Sequence, residues 1–511
     1  MNQKYKEKIK IFFKNKNIKK ITKENLQNLK SEFAKKYNLK KLPLTSDITN
    51  ILKIKNPTKT FITKPSRTLS GVTIIAVMTK PDVCPGKCIF CPSYKDAPKS
   101  YTGFEPAAMR GAINNFDPYK QIKERLKQLE ATGHPTTKIE MIIMGGTFPS
   151  TSIEYQKEFM IKVYQAITDS KSKNIDLLKK KAMTSKRRLV GLTFETRPDY
   201  CDEKIIRRLI DFGATRIEIG VQSTDNKILK YVKRGHGTKE SIIATEKLKD
   251  SGLKVLYHMM LNLPKSNYKK DLKMFEEITT NEKYCPDMLK IYPCLVTKYT
   301  VLEKMYYSGE YKVYDDQKTI NLLADIKEKI PRWIRIMRIQ RDIPATKIIG
   351  GIKKSNLREY VKKELNKRNK KCKCIRCREP NKNNTNIDFK KYEIKIETYK
   401  ASKGIEYFIS AEKDDVIFGF IRLRIPYKPF LEELDKKTAI VRELHVYGQA
   451  TELGQKNLQH RGIGKKLLKK AEEITKENKL KKIAIISGIG VREYYKKLGY
   501  KLKKAYMIKE F

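Results

Sequence analysis

Three cysteines stand within eight residues: Cys84, Cys88 and Cys91, in the stretch VCPGKCIFCP at 83–92. The spacing is Cx3Cx2C, and no fourth cysteine follows nearby. Thiolates bind soft metals and iron–sulfur clusters. A structural zinc takes four protein ligands, so three cysteines plus a distant ligand is the plainer alternative. Three ligands on a four-iron cubane leave one iron open to a small molecule. The amino and carboxylate groups of S-adenosylmethionine suit that position. One electron from the cluster then cleaves its carbon–sulfur bond, chemistry that belongs to the cofactor. Met144-Gly145-Gly146-Thr147 ends a later apolar run. Two glycines there are either a turn or a strip where backbone carbonyls approach a ligand closely.

Two further groups could do chemistry. Gln459-His460-Arg461-Gly462-Ile463-Gly464 opens a helix-like segment after a β-rich stretch. The QxxGxG spacing presents bare backbone N–H groups at a helix N-terminus, which suits a pyrophosphate, and Arg461 adds charge. A glycine turn explains the spacing equally well when it stands alone. Its setting is Arg442-Glu443-Leu444-His445-Val446 before it and Tyr494-Tyr495-Lys496-Lys497-Leu498-Gly499-Tyr500 after it. That layout resembles a GNAT acetyltransferase, whose ligand is acetyl-coenzyme A. Tyr494 and Tyr495 are coenzyme contacts or packing aromatics, and periodicity favours the core for one of them. Cys372, Cys374 and Cys377 form CxCx2C in a Lys/Arg-rich segment. Three thiols so close point to a structural zinc, with Cys201, Cys285, Cys294 or a histidine as candidate fourth ligand.

The elements that must position these groups show in the hydrophobic pattern. Apolar runs at VTIIAVM, IEMIIMGG, LVGLTFET, TRIEIGVQ, LKVLYHMML, MLKIYP and IRIMRIQ alternate with helix-length amphipathic segments. This predicts βα units, a parallel sheet and an α/β partial barrel, with chemistry at the C-terminal ends of the strands. The first cysteine motif follows the first such run directly. A basic helical segment over residues 1–65 precedes the barrel at 66–345. A charged linker with the cysteine knuckle covers 346–390, and a separate α+β domain covers 391–511.

Lys and Arg number 111 against 57 Asp and Glu, a net charge of +54. Such an excess suits a polyanion, and RNA is favoured over a membrane because no amphipathic anchor is visible. Part of the excess reads equally well as solvated surface. No run of eighteen apolar residues spans a membrane, and the N-terminus lacks the apolar stretch of a secretory signal. Nine clustered cysteines point to a reducing, cytoplasmic compartment rather than a disulfide framework.

Taken together, SYTGFEPAAMR, IIMGGTF, ETRPDYC, IEIGVQS, RGH, LKIYPCLV, RIQRDIP, VRELHVYG and ISGIGVREYYKKLGY resemble one family. It is that of the catalytic subunit of Elongator, the tRNA uridine carboxymethyltransferases. The resemblance runs from Lys64 to the end of the chain. It implies a radical S-adenosylmethionine barrel and a GNAT-like domain facing a shared tRNA surface. A radical drawn from the methyl of acetyl-coenzyme A would add to carbon 5 of the wobble uridine, and thioester hydrolysis would leave a carboxymethyl group. Cys84, Cys88 and Cys91 carry over as cluster ligands, and Gly145, Gly146 and Thr147 as the cofactor strip. Lys290 and Tyr292 carry over as pocket residues near the acetyl group. Glu218, Gln222, Arg234 and His258 are further pocket or cofactor candidates, though a barrel carboxylate paired with arginine explains Glu218 as well. Gln459 to Gly464, Tyr494 and Tyr495 carry over as coenzyme contacts. The family's His-Met-Met-Pro-Asp-Leu-Pro stands here as His258-Met259-Met260-Leu261-Asn262-Leu263-Pro264, which puts the role of the lost acid in doubt. The compact cysteine spacing is similar to that of archaeal, bacterial or viral members, which implies action without the other Elongator subunits.

Two other functions compete. One is a protein lysine acetyltransferase with a purely structural cluster and Glu443 as general base. The other is a tRNA- and coenzyme-binding protein that has lost catalysis, for which Asn262 is the support.

Overall fold

A computed structural model describes the chain except residues 1–2, 40, 53, 55–59, 63–67, 69, 381–390 and 448–461. Seven of its strands form one parallel sheet. They are β1 (Thr73–Met78), β2 (Lys138–Met144), β3 (Arg188–Thr196), β4 (Arg216–Gln222), β5 (Lys254–Leu261), β6 (Met288–Pro293) and, after the two-residue β7 (Val296–Thr297), β8 (Arg335–Arg338). Their order is β1-β2-β3-β4-β5-β6-β8, and every pairing is parallel. These are the seven apolar runs of the sequence. Their residues are apolar almost continuously because helices cover them, as strands of parallel sheets require. The crossover helices start where short polar side chains cap them. Asp117, Ser152, Asn174, Asp202 and Asp225 each accept from backbone N–H groups of the first turn.

The short β9 (Ile348–Gly350) returns to pair antiparallel with β7. The helix Leu357–Lys367 then buries Leu357, Val361 and Leu365 in the main core. This part of the stretch read as linker thus packs onto the barrel. The interspersed Arg358, Lys362, Lys363 and Lys367 had masked its apolar stripe.

The C-terminal sheet is mixed. It comprises β10 (Glu393–Ala401), β11 (Gly404–Lys413), β12 (Val416–Ile425), β13 (Thr438–Val446), β14 (Lys482–Ile486), β15 (Lys501–Lys503) and β16 (Tyr506–Glu510). The order is β10-β11-β12-β13-β14-β16-β15. Strands β13 and β14 run parallel, but only Thr438–Val441 of β13 has a β14 partner. Beyond that point β13 continues alone beside β12, with a register jump that leaves Arg442 as the extra residue. The sheet therefore splays open between β13 and β14, and the helix Ile463–Glu477 packs against its face.

The two sheets share one core. Ile440, Ala484, Ile486, Ile489 and Tyr506 belong to the same buried cluster as the barrel strands. Gly488 lies so close to the backbone of Val190 that a Cβ there would meet its carbonyl oxygen at 2.3 Å. A fully buried ionic seam crosses the junction. Asp287, just ahead of β6, receives both Nη atoms of Arg442 at 2.6 and 2.5 Å. Arg442 also donates to Glu406 at 2.7 Å, and Lys249 lies 3.4 Å from Asp287 and 3.3 Å from Glu406. Arg424 bonds Asp250 at 2.8 Å, and Arg422 donates to the carbonyl of Trp333 at 2.6 Å. The acetyltransferase-like sheet is thus seated on the side of the barrel where strands β3, β5, β6 and β8 begin. The three N-terminal helices, Gln3–Phe13, Lys23–Lys36 and Thr45–Ile51, keep a small core of their own around Phe13, Phe33 and Phe61.

Candidate active site

The cysteine loop leaves β1 at its C-terminal end, where barrels place their chemistry. Cys91 N–H donates to the Cys88 carbonyl at 3.1 Å, and the loop is tied to the barrel by Ile89 N–H on the Val232 carbonyl. Two buried arginines flank the thiols. Arg234 Nη1 lies 3.5 Å from Cys88 Sγ and its Nη2 donates to the Gly220 carbonyl. Arg197 is locked by two bonds of 2.9 Å to Asp199. Its Nη1 and the Nε of Arg234 are buried without a protein partner. Burial pushes the Cys91 thiol up to about 11, with Cys88 and Cys84 adding to it. Cys84, Cys88 and Cys91 would hold a cluster as thiolates, since its charge would favour their ionised form. Three thiols, two buried cations and orphaned N–H groups fit an anionic iron–sulfur cluster and its carboxylate-bearing ligand.

The strip after β2 fits the same ligand. Gly145 and Gly146 have φ of +128° and +88°. A Cβ on Gly145 would meet Thr79 Oγ1 at 2.0 Å, so the chain at this point is passable only to glycine. Thr79 N–H donates to the Met144 carbonyl, which holds the strip against the end of β1. Thr147 is buried beside it.

Inside the sheet lies a charged pocket. Lys290 on β6 contacts Glu218 on β4 and lies 3.3 Å from Glu195 on β3. His258 Nε2, on β5, is 2.9 Å from Glu218, and its ring meets Tyr292 edge-on at 5.6 Å. Tyr101 donates to Glu195 at 2.7 Å. Arg216 lies 3.5 Å from Glu218 and is paired with Glu140 at 2.5 Å. Burial alone would raise the Glu218 carboxyl, but Lys290, His258 and Arg216 hold it far below the carboxylate range. Burial would likewise lower Lys290, yet Glu218 and its neighbours push it above the ordinary lysine value. His258 is lowered by burial and by Lys290, so the imidazole is neutral near pH 7. Burial raises Tyr292, which keeps its proton. Two carboxylates take two of the three ammonium protons, which leaves a third donor for another acceptor.

At the C-terminal sheet, the helix Ile463–Glu477 starts at Gly462, whose φ is +79°. Gly464 faces Tyr494, Val446 and Leu444 across the splay. Tyr494 is partly exposed there, whereas Tyr495 is buried in the core under the helix. The short helix Arg492–Lys496 turns only one of these two adjacent side chains outward, so the two tyrosines meet different surroundings. Gln459, His460 and Arg461 lie outside the described residues. Glu443 is ion-paired with Arg422 at 2.9 Å. Burial would raise its carboxyl, but Arg422 holds it low, which makes it a poor proton acceptor.

The sulfurs of Cys372, Cys374 and Cys377 gather within 4.8 Å, a spacing that can hold a metal ion. The fourth neighbour is Lys327, with Nζ 3.3 Å from Cys372 and 3.5 Å from Cys377. The proposed cysteine partners lie elsewhere. Cys201 points to the Arg197 carbonyl, Cys285 to that of Asn281, and Cys294 packs with Tyr311. Among the described residues no fourth cysteine or histidine joins the group.

Comparison with known proteins gives this geometry its setting. Residues 78–278 match the Radical SAM superfamily, 286–367 the Radical SAM C-terminal domain and 376–500 the acetyltransferase (GNAT) family. A tRNA uridine(34) acetyltransferase of Methanocaldococcus infernus is 51% identical over 464 residues, covering 88% of this chain and 87% of the relative. The chain belongs to the Elongator complex protein 3 family. The yeast Elongator complex protein 3 of Saccharomyces cerevisiae is 37% identical over 95% of this chain and 92% of its own. The solved archaeal Elp3 of Methanocaldococcus infernus, lacking its N-terminus, superposes with a TM-score of 0.78 at 47% identity, covering 87% of this chain and all of that one. Family membership brings with it a four-iron cluster, S-adenosylmethionine and acetyl-coenzyme A.

Within this family frame, the departure at Asn262 has a structural explanation. Its φ is +56°, its N–H donates to Asp271 at 2.7 Å and its side chain donates to the Lys312 carbonyl. Burial pushes the Asp271 carboxyl up to about 6 although Ser266, Tyr314 and the Asn262 N–H all donate to it, so an acid at position 262 would add a second buried negative charge beside it. Asparagine tolerates the left-handed backbone as aspartate does, without the charge. Asn262 thus serves a turn, and the binding-only reading loses its support. Gln222, at φ +68°, closes β4 beside Arg234. Glu195, Tyr101, Arg197 and Arg216 were not singled out from the sequence. Glu195 and Arg197 lie in ETRPDYC, where two charges at the end of an apolar strand are the available signal.

Proposed function

We propose that this chain modifies the wobble uridine of tRNA, placing a carboxymethyl group derived from acetyl-coenzyme A on carbon 5. What supports this reading most is the combination on one chain of an open-sided three-cysteine loop, the Lys290–Glu218 pocket beyond it and a splayed acetyltransferase sheet. When bound, the cluster and S-adenosylmethionine supply a carbon radical, which is the cofactor's own chemistry. Cys84, Cys88 and Cys91 would hold the cluster, and Gly145 to Thr147 with Arg234 the methionine end of its ligand. Lys290 and Tyr292 would orient the acyl carbonyl through N–H and O–H donation, with Glu218 keeping Lys290 charged. Gly462 to Gly464 and Tyr494 would receive the coenzyme. Basic helices ahead of the barrel would track the tRNA backbone. The enzyme would work in the cytoplasm and without further Elongator subunits. No helix among the described residues is long and apolar enough to cross a membrane. The lysine acetyltransferase reading is disfavoured by the ion-paired Glu443.

The test is anaerobic reconstitution of the cluster, followed by S-adenosylmethionine, acetyl-coenzyme A, reductant and unmodified tRNA, with nucleosides read by mass spectrometry. Carboxymethyluridine together with deoxyadenosine is the expected result. Deoxyadenosine without a modified uridine would overturn the substrate assignment, and neither product from a cluster-loaded protein would overturn the radical reading.

A further inference from the structure

Among the described residues, strand β10 is an edge of the C-terminal sheet with β11 as its one neighbour. An edge strand offers unpaired N–H and C=O groups to another strand, and proteins normally blunt that with charge. Glu393, Ile394, Lys395 and Ile396 are all exposed, with Ile394 at 38% and Ile396 at 42%. Tyr392, Ile394 and Ile396 alternate with Glu393, Lys395 and Glu397, so the two sets face opposite sides of the sheet. Ile394 and Ile396 stand opposite Ala411 and Ile409, which are buried in the sheet's own core. The apolar row therefore continues the core out to the open edge.

The order of charges along this edge is self-complementary. Place a second β10 antiparallel to the first, with Ile394 opposite Ile394. Glu393 then faces Lys395, Ile396 faces Tyr392 and Glu397 faces Lys391, on both sides of the twofold axis. Centring the pair one residue earlier sets Glu393 against Glu393 and Lys391 against Lys395. Centring it one residue later sets Lys395 against Lys395 and Glu393 against Glu397. One register satisfies every charge and every apolar side chain, and its neighbours oppose like charges, which is destabilising. Glu397 is already held by Arg332 of its own chain at 3.2 Å, whereas Glu393 and Lys395 form only a long, exposed pair of 3.7 Å with each other, so exchanging partners across the axis costs them little and the inner Glu393–Lys395 pairs decide the register.

We propose that β10 is a docking edge for a second copy of this chain, joined antiparallel about Ile394 so that the two seven-stranded sheets become continuous. The partner is a copy rather than an unrelated strand because the edge matches its own reversed sequence in charge and in apolarity. The pairing lies on the edge farthest from β14 in the strand order, so it leaves the splay between β13 and β14 open.

Sedimentation velocity of the full-length, cluster-loaded protein over a wide concentration range tests this. The mass should rise from one chain to two with concentration. Lys395→Glu should weaken the dimer by about tenfold or more, because two like-charge pairs then face each other across the axis. The charge swap Glu393→Lys with Lys395→Glu should restore it. Cluster absorbance and unfolding temperature, unchanged in both variants, would show that the fold is intact. A single-chain mass at every concentration would overturn the proposal. So would a dimer indifferent to Lys395→Glu, or one the swap fails to restore.

Discussion

Lys290 stands between Glu218 and Glu195 with 6% of its surface exposed, and Lys290 and Glu218 keep each other ionised. Lys290→Met should abolish carboxymethyluridine formation while tRNA binding persists. It should also lower stability by about 3–5 kcal/mol, since two carboxylates are left buried without their cation. Product analysis and urea unfolding on the same preparation check both parts, and a variant with normal product would remove Lys290 from the chemistry. The histidines predict a pH response. Burial, with Arg234, holds His236 down to about 4, and burial, with Arg335, does the same for His445. An unfolded imidazole takes its proton near 6.5. The unfolded chain therefore binds more protons between those values, and stability present above pH 6.5 is lost as the pH falls toward 4. Each group contributes roughly 3 kcal/mol when the loss is complete. Unfolding temperatures at pH 7.5 and pH 5 should differ accordingly, and equal values would contradict the burial of both rings. At this scale the sequence was legible where spacing carries meaning, as in the cysteine triplets and Gly145-Gly146. It was not legible for Tyr101, Arg216 or Lys327, whose roles arise from strands and helices brought together over long sequence separations.

At the scale of elements, the seven barrel strands were readable because apolar runs of parallel strands are nearly continuous. The pair β7–β9 was not, being two or three residues long. β11 escaped notice because Glu406, Ser410 and Glu412 interrupt its run, and the structure buries all three against arginines or each other. Strand-end geometry yields its own prediction. Gly145→Ala puts a methyl group into Thr79 and forces a residue into a backbone region closed to it. The variant should keep its cluster and tRNA affinity and lose most S-adenosylmethionine cleavage, read as deoxyadenosine. Undiminished cleavage would show that the strip does not touch the cofactor.

Across the whole molecule, charge acts in two unlike ways. In the N-terminal segment it is exposed, as at Lys10, Lys14, Lys20 and Lys23. Replacing these four by alanine should weaken tRNA binding and flatten its salt dependence, by about 0.7–0.9 in logarithmic slope for each phosphate no longer neutralised. An unchanged slope would mean that the lysines only solvate the surface. At the junction of the two sheets charge is sealed in. Asp287→Ala should destabilise the protein by about 3–5 kcal/mol and separate the unfolding of barrel and acetyltransferase sheet into two transitions. Calorimetry distinguishes that from a single cooperative transition at an unaltered temperature, which would deny the seam its role.

That seam also bears on how such a molecule is made and how it changes over generations. A ribosome finishes Asp287 and Lys249 long before it reaches Glu406 and Arg442, so the charges on the underside of the nascent barrel have only each other as partners until the last quarter of the chain emerges. Exchange of the acetyltransferase half for one from another lineage would strand those charges in the same way. The residues of barrel and acetyltransferase sheet along the junction therefore constrain one another. A change of sign on one side of the junction survives only when its counterpart on the other side changes with it.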